Sequence, residues 1–373
     1  MSSCHKDVVN GSHVKKEELP LSVYGSNAAH NTTNALRWIV DRMTLSSNSS
    51  KKMIHLSSGQ CDPTRYGNLL PPPDAINAIA ETLKHPSTHS YTPTFGTVAA
   101  RTAVAEYLTK DGSPCKMEPD KQWEVDLKHF ESVIDKRTRA VMINNPSNPC
   151  ASVYTRQHLK DIISLCEKYR LPIIADEIYA QMVFPGNDFH YMSALSENVP
   201  IIHCGGISKL YCCPGWRLGW IVIHDRHNAF QKYIRPGLLS ISSRIMGPSS
   251  IPQAALPSIL SLKHKAYLDD MIDLVKQNAD LVYDMLGSIP GLTPVMPQGA
   301  VYMMIQLDFD AFNDIGNETD FFQKLLDEQS VTCLPGTVFN APNYIRIVTT
   351  VPTEMLEDAC HRVIEFCNKH KKI

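Results

Sequence analysis

Asp176, Lys209 and Arg217 are the residues of this chain whose types and spacing could do chemistry. Asp176 stands in Ala175-Asp176-Glu177-Ile178-Tyr179, and Lys209 follows 33 positions later in Gly205-Gly206-Ile207-Ser208-Lys209. Arg217 comes eight positions further on, in Pro214-Gly215-Trp216-Arg217-Leu218-Gly219-Trp220. A carboxylate closing one strand, an amine after the next and a rigid cation one loop on form the layout of a pyridoxal-phosphate site. Such a site needs an amine to hold the cofactor as a Schiff base, which suits Lys209. It needs a carboxylate on the pyridine nitrogen so that the protonated ring can act as an electron sink, which suits Asp176. It needs a planar cation for the phosphate dianion, which suits Arg217 better than it would suit a lysine. Each residue alone has an ordinary reading, since a lysine beside glycines is commonly a solvated loop residue. The set, in this order, outweighs those readings.

An alternating framework must position these groups. Ala140-Val141-Met142-Ile143 reads as an apolar strand ending in Asn144-Asn145-Pro146-Ser147-Asn148-Pro149. Thr155 then caps a helix whose apolar face is Leu159, Ile162, Ile163 and Cys166, the spacing of one helical stripe. Pro172–Ala175, Pro200–His203 and Leu218–Ile223 read as further strands. Short apolar strands separated by helices predict a mostly parallel sheet covered on both faces. Ligands collect at the carboxyl ends of such strands, where Asn145, Asp176 and Lys209 fall. A helix is expected near Ala75–Leu83 after the stiff Pro71-Pro72-Pro73, and a long one over residues 264–286, stopped by Gly287 and Pro290. Beyond it, strands at Val301–Leu307 and Tyr344–Thr349 and a helix at Thr353–Lys369 predict a smaller α+β unit. The expected division is an N-terminal arm over 1–52 with one short helix around residues 36–40, a small domain from 53–70 and 290–373, and a large domain over 71–289.

Composition bounds the alternatives. The 373 residues are 43% apolar and 20% charged, with a formal charge of −2, which is ordinary globular composition. No basic stripe argues for nucleic acid. Neither an apolar signal core nor a run of 18 apolar residues is present, so a cytoplasmic protein is expected, ahead of a mitochondrial one, with no membrane partner. The acceptor-type triplets at Asn10, Asn31, Asn48 and Asn317 are then incidental. Eleven irregularly spaced cysteines read as reduced thiols, and no Cys/His group has zinc spacing, so no metal is expected.

With these motifs in view the chain resembles the class I pyridoxal-phosphate-dependent aminotransferases, and within them the group that acts on tyrosine. The resemblance runs from about residue 20 to the C-terminus, through Asn145–Pro149, Ala175–Tyr179, Pro214–Trp220, Gly299-Ala300-Val301-Tyr302 and Leu334-Pro335-Gly336. It implies the α/β fold type I of the aspartate aminotransferase-like enzymes, pyridoxal 5'-phosphate as cofactor and a homodimer. It also implies amino-group transfer from L-tyrosine to 2-oxoglutarate, giving 4-hydroxyphenylpyruvate and L-glutamate. By motif, Lys209 would hold the cofactor and shuttle a proton, while Asp176 would pair with the pyridinium. Tyr179 and Asn145 would hydrogen-bond the ring oxygen, and Arg217 with Ser208 would take phosphate. Tyr91 would reach the partner subunit's cofactor. Arg346 would grip the substrate carboxylate, and Gly59 would leave room for it.

One departure matters. Only twelve residues, 111–122, separate Tyr107-Leu108-Thr109-Lys110 from Trp123-Glu124-Val125-Asp126-Leu127, whereas the family carries several dozen more there. The absent stretch implies loss of a strand, of a Gly/Ser-rich phosphate turn at a helix N-terminus and of the aromatic residue that stacks on the ring. Asp111–Lys121 reads as a loop. A catalytically impaired isoform or a non-catalytic dimerisation partner is the alternative this raises, and a carbon–sulfur lyase on the same fold is another. Smaller departures are Leu210 after the lysine, where arginine is frequent, and Ala151, where glycine is usual.

Overall fold

The computed structural model describes residues 50–57, 66–110, 123–244, 247–261 and 265–372. The short helix expected around residues 36–40, most of the arm, Gly59 and the loop expected at 111–121 lie outside these residues.

The elements in chain order are β1 (Ile54–His55), α1 (Pro73–Thr82), α2 (Val98–Lys110), α3 (Leu127–Val133), β2 (Val141–Asn144), α4 (Arg156–Lys168), β3 (Ile173–Asp176), α5 (Met192–Leu195), β4 (Ile201–Gly206) and β5 (Gly219–His224). They continue with α6 (Ile234–Ser243), α7 (Ser250–Ser261), α8 (Lys265–Leu286), β6 (Leu292–Val295), β7 (Tyr302–Leu307), α9 (Glu318–Gln329), β8 (Val331–Thr332), β9 (Leu334–Pro335), β10 (Tyr344–Val348) and α10 (Thr353–His370).

Two four-stranded sheets carry the structure. The first has the order β2-β3-β4-β5, with β2, β3 and β4 parallel and β5 antiparallel to β4. Its register aligns Asn144, Asp176 and Cys204 in one row at the carboxyl ends. Side chains alternate across each strand. Val141, Ile173 and Ile201 therefore face one way, where they pack with Leu159, Ile162 and Cys166 of α4. Helix α4 starts where Thr155 accepts a hydrogen bond from the His158 amide, satisfying an orphan donor of the first turn. The other face departs from the expected double cover. Met142, Ile174, Ile202 and Ile223 line it in register, yet Met142 is 66% exposed and Ile221, one row on, is 47% exposed. Among the described residues, β2 pairs only with β3 and β5 only with β4, so both edges of this sheet are open.

The second sheet, β6-β7-β10-β9, is antiparallel throughout. Helices α8, α9 and α10 pack around it through Met271, Val275 and Val282, through Phe321 and Leu325, and through Leu356, Cys360 and Val363. Phe312, Phe321 and Phe366 stack edge to face at 6.0 and 5.2 Å. Full burial of each such ring stabilises by about 1.5–3 kcal/mol. Arg346 lies in the middle of β10, opposite Met304 and Leu334, so paired strands on both sides set its position.

Candidate active site

The site forms where the carboxyl ends of the first sheet meet the N-terminal end of β7. Asp176 ends β3. Its backbone oxygen accepts from the Asn145 amide at 3.1 Å and from Asn144 Nδ2 at 3.1 Å, which fixes the loop after β2 against it. The Asp176 carboxyl is pushed above the usual carboxylate range, mainly by burial, against the opposing pull of His203 and Lys209. A half-buried carboxylate whose charged form is disfavoured in this way is stabilised by a cation. Next to it Glu177 and His203 form a buried pair, Oε2 to Nδ1 2.5 Å, and Glu177 Oε1 accepts from the Met192 amide that opens α5.

Asn145 is fully buried. Its Oδ1 accepts from the Tyr154 amide at 2.9 Å, while its Nδ2 has no partner among the described residues. A donor left in that state costs about 1–3 kcal/mol unless an acceptor arrives. Lys209 lies with its ammonium 6.0 Å from the centre of the Tyr179 ring. The Tyr179 hydroxyl meets the Tyr302 hydroxyl at 2.8 Å, with the rings edge to face.

Tyr302 leads to Arg346. The Arg346 guanidinium sits over the Tyr302 ring at 4.3 Å and over Phe339 at 4.7 Å. Its Nη1 donates to Asn148 Oδ1 at 2.7 Å and its Nη2 to the Ser57 carbonyl at 3.1 Å, while Nε is buried without a partner among the described residues. Burial pulls the Arg346 pKa down and the two tyrosines oppose that shift. Guanidinium is so basic that the charge persists. A buried, permanent cation set over two aromatic rings suits a planar carboxylate.

The structure thus brings Asn145, Asp176, Tyr179, Lys209 and Arg346 into one neighbourhood. Ser208 is half-buried beside Lys209, and its carbonyl accepts from the Cys213 amide. Arg217 is exposed, takes a left-handed backbone with φ 53°, and donates to the Pro214 carbonyl at 3.0 Å. Tyr91 is 80% exposed. The sequence reading assigned no role to Asn148, Tyr302 or Phe339, all of which surround Arg346. Asn148 and Tyr302 lie inside motifs already singled out, so their signal was present without a role attached.

Pyridoxal phosphate fits this arrangement at its ring. The orphaned Asn145 donor, the half-buried Asp176 carboxyl and the Lys209 amine are the acceptor-seeking, cation-seeking and carbonyl-seeking groups it requires. At the phosphate end the described residues offer Ser208 and Arg217.

A model of the family described as aminotransferase class I and II matches residues 112–363. The chain is 38% identical to the tyrosine aminotransferase of Mus musculus over 402 residues, covering 94% of this chain and 88% of that one. It is 38% identical to the tyrosine aminotransferase of Dictyostelium discoideum, covering 94% and 97%. Because 94% of 373 residues falls well short of 402, several dozen positions of the mouse protein have no counterpart here. The crystal structure of tyrosine aminotransferase from Leishmania infantum superposes with a TM-score of 0.87 at 28% identity, covering 94% of this chain and 99% of that one.

Proposed function

The chain belongs to the class I and II aminotransferases, and on that footing we propose that it transfers the amino group of L-tyrosine to 2-oxoglutarate. Family membership makes it a pyridoxal-phosphate-dependent enzyme of fold type I acting on amino acids and 2-oxo acids. The observation that carries the reading is the continuous set from Asp176 through Lys209 and Tyr179 to the buried Arg346. The choice of tyrosine draws on the curated relatives.

When bound, the cofactor supplies an electron sink for charge developing at the substrate α-carbon. The chain supplies the rest. Asp176 would keep the ring nitrogen protonated, and Asn145 and Tyr179 would hydrogen-bond the ring oxygen. Arg346 would hold the substrate carboxylate, and with it the α-carbon, within reach of the Lys209 amine. Lys209 would hold the cofactor and then carry the proton removed from that carbon. Ser208 and Arg217 would take phosphate. Gly59 would lie beside the substrate carboxylate.

The exposed Tyr91 supports a homodimer in which it serves the partner subunit. We place the small domain at 53–70 with 290–373 and the large one at 71–289, and assign the protein to the cytoplasm. No described helix is long and apolar enough to cross a membrane.

A second reading is favoured by the bare sheet face and by the several dozen unmatched positions: an isoform of the same specificity with weakened cofactor binding. Steady-state assay of 4-hydroxyphenylpyruvate formation from tyrosine and 2-oxoglutarate, across a range of pyridoxal phosphate concentrations, tests both. Turnover supports the proposal, and turnover only at high cofactor supports the second reading. Release of pyruvate and thiol from cystine without amino transfer would overturn both in favour of a lyase.

A further inference from the structure

We propose that Tyr302 is a positioning residue that joins the two halves of the site. In this role its ring would support the Arg346 guanidinium and its hydroxyl would hold the hydroxyl of Tyr179. The inference rests on the roles proposed above for Arg346 and Tyr179 and adds the element that links them.

The placement of Tyr302 is heavily determined. It opens β7 and is 3% exposed. The segment leading into it is stitched to the other half of the molecule. Gln298 and Gly299 amides both donate to the Ala151 carbonyl, the Ala300 amide donates to Met182 at 2.7 Å, and Gln298 Oε1 accepts from Val153. Gly299 approaches so closely that a Cβ there would meet the Met182 carbonyl at 2.5 Å. Ala300 takes φ 52°, the left-handed turn that swings the chain into the strand. These contacts tie the start of β7 to the loop after β2 and to the turn carrying Tyr179.

From that anchored position Tyr302 faces two ways. Its hydroxyl lies 2.8 Å from that of Tyr179, whose ring faces Lys209. Its ring face lies 4.3 Å beneath the Arg346 guanidinium, with Phe339 at 4.7 Å. A desolvated guanidinium over an aromatic face is held electrostatically as well as sterically. The hydroxyl contact and the ring contact use different atoms, so they can be removed separately. Phenylalanine keeps the ring and deletes the hydroxyl, whereas leucine deletes both.

The test uses both variants with and without cofactor. Binding of 3-(4-hydroxyphenyl)propanoate to the cofactor-free protein is measured by calorimetry. Tyr302→Phe should stay within about threefold of the parent, and Tyr302→Leu should bind roughly tenfold more weakly or worse. Tyrosine labelled at Cζ is followed by carbon NMR across a pH titration of the same cofactor-free proteins. Loss of the Tyr302 hydroxyl removes a donor to a Tyr179 phenolate, so the Tyr179 midpoint should move upward in both variants. With pyridoxal phosphate added, Tyr302→Phe should lower kcat more than it raises KM. An unmoved Tyr179 signal in Tyr302→Phe, or parent-like carboxylate affinity in Tyr302→Leu, would overturn the inference. Lack of carboxylate binding by the parent itself would overturn the Arg346 role beneath it, and so the proposed function.

Discussion

Asn148 Oδ1 accepts from Arg346 Nη1 at 2.7 Å, so a loop at the end of the first sheet holds a cation that belongs to the second. Asn148 is itself held by its amide, which donates to Asn144 Oδ1 at 2.5 Å. Replacing Asn148 by alanine removes a hydrogen bond to a charged group, worth about 1.5–3 kcal/mol. Steady-state kinetics with tyrosine should show KM raised by roughly tenfold to a hundredfold, with kcat less affected. An unchanged KM would mean that the aromatic pair and the Ser57 carbonyl suffice to fix Arg346.

Lys209→Ala removes the amine proposed to hold the cofactor. The parent mixed with pyridoxal phosphate should develop a visible absorbance band that the variant lacks. Two missing charge-assisted hydrogen bonds to phosphate, at ~1.5–3 kcal/mol each, would weaken cofactor affinity by roughly a hundredfold to ten-thousandfold against an intact relative. Titrating the band reads that deficit directly, and affinity equal to the relative's would sink the isoform reading.

Asp176 gives a pH signature with a definite sign. Its pKa is raised by burial. The contribution to stability is therefore fully present below the unfolded carboxylate pKa, about 3.9, and is lost as pH rises through the folded value. In cofactor-free protein, Asp176→Asn should melt above the parent at pH 8, with the gap closing towards pH 4. Added pyridoxal phosphate should reverse the order at pH 8, because the carboxylate then has its partner. Melting curves across this range decide it.

Asp314 behaves oppositely. Hydrogen bonds from Lys324 and then His370 lower its pKa to about 2. The stabilisation is present above the unfolded carboxylate pKa and disappears as pH falls through about 2. The carboxylate is half exposed, so solvent screening keeps the effect small. Asp314→Asn should lower Tm at pH 7 by no more than about 2 °C, with the difference shrinking as pH falls below 4.

Legibility followed the strength of the local pattern. Helices α8 and α10 matched their expected spans within a residue or two, and α4 starts after the expected Thr155 cap with the expected face buried, because each repeats apolar residues at helical spacing. Strand direction is different, since an apolar run reads the same both ways; β5 proved antiparallel where a parallel strand was expected. Helix α7 went unread because Pro252 and Pro257 interrupt its pattern. Asn317, set aside as an incidental triplet, is the N-cap of α9, accepting from the Thr319 and Asp320 amides. Among the candidate site residues, Lys209 and Asp176 stood out in the sequence by type and spacing, beside glycines and at the end of an apolar strand, whereas Arg346 came forward only through the family resemblance. Tyr302 and Phe339 were not legible. Neither a strand aromatic such as Tyr302 nor one on a short helical turn such as Phe339 carries a mark of what lies above its ring, and the Tyr302 contact exists only once β7 and β10 pair.

The open edges of β2 and β5 offer a route to repair by design. A parallel strand grafted beside β2, or an added strand pairing with β5, would have free backbone donors and acceptors waiting for it. A helix following that strand would find Met142, Ile174, Ile202 and Ile223 already arranged as its seat. If the loop between graft and helix presented amides at the helix start, the same insertion would add an anion cradle near the row holding Asp176. Modular transplantation of one strand–loop–helix unit is therefore a self-contained engineering target in this scaffold.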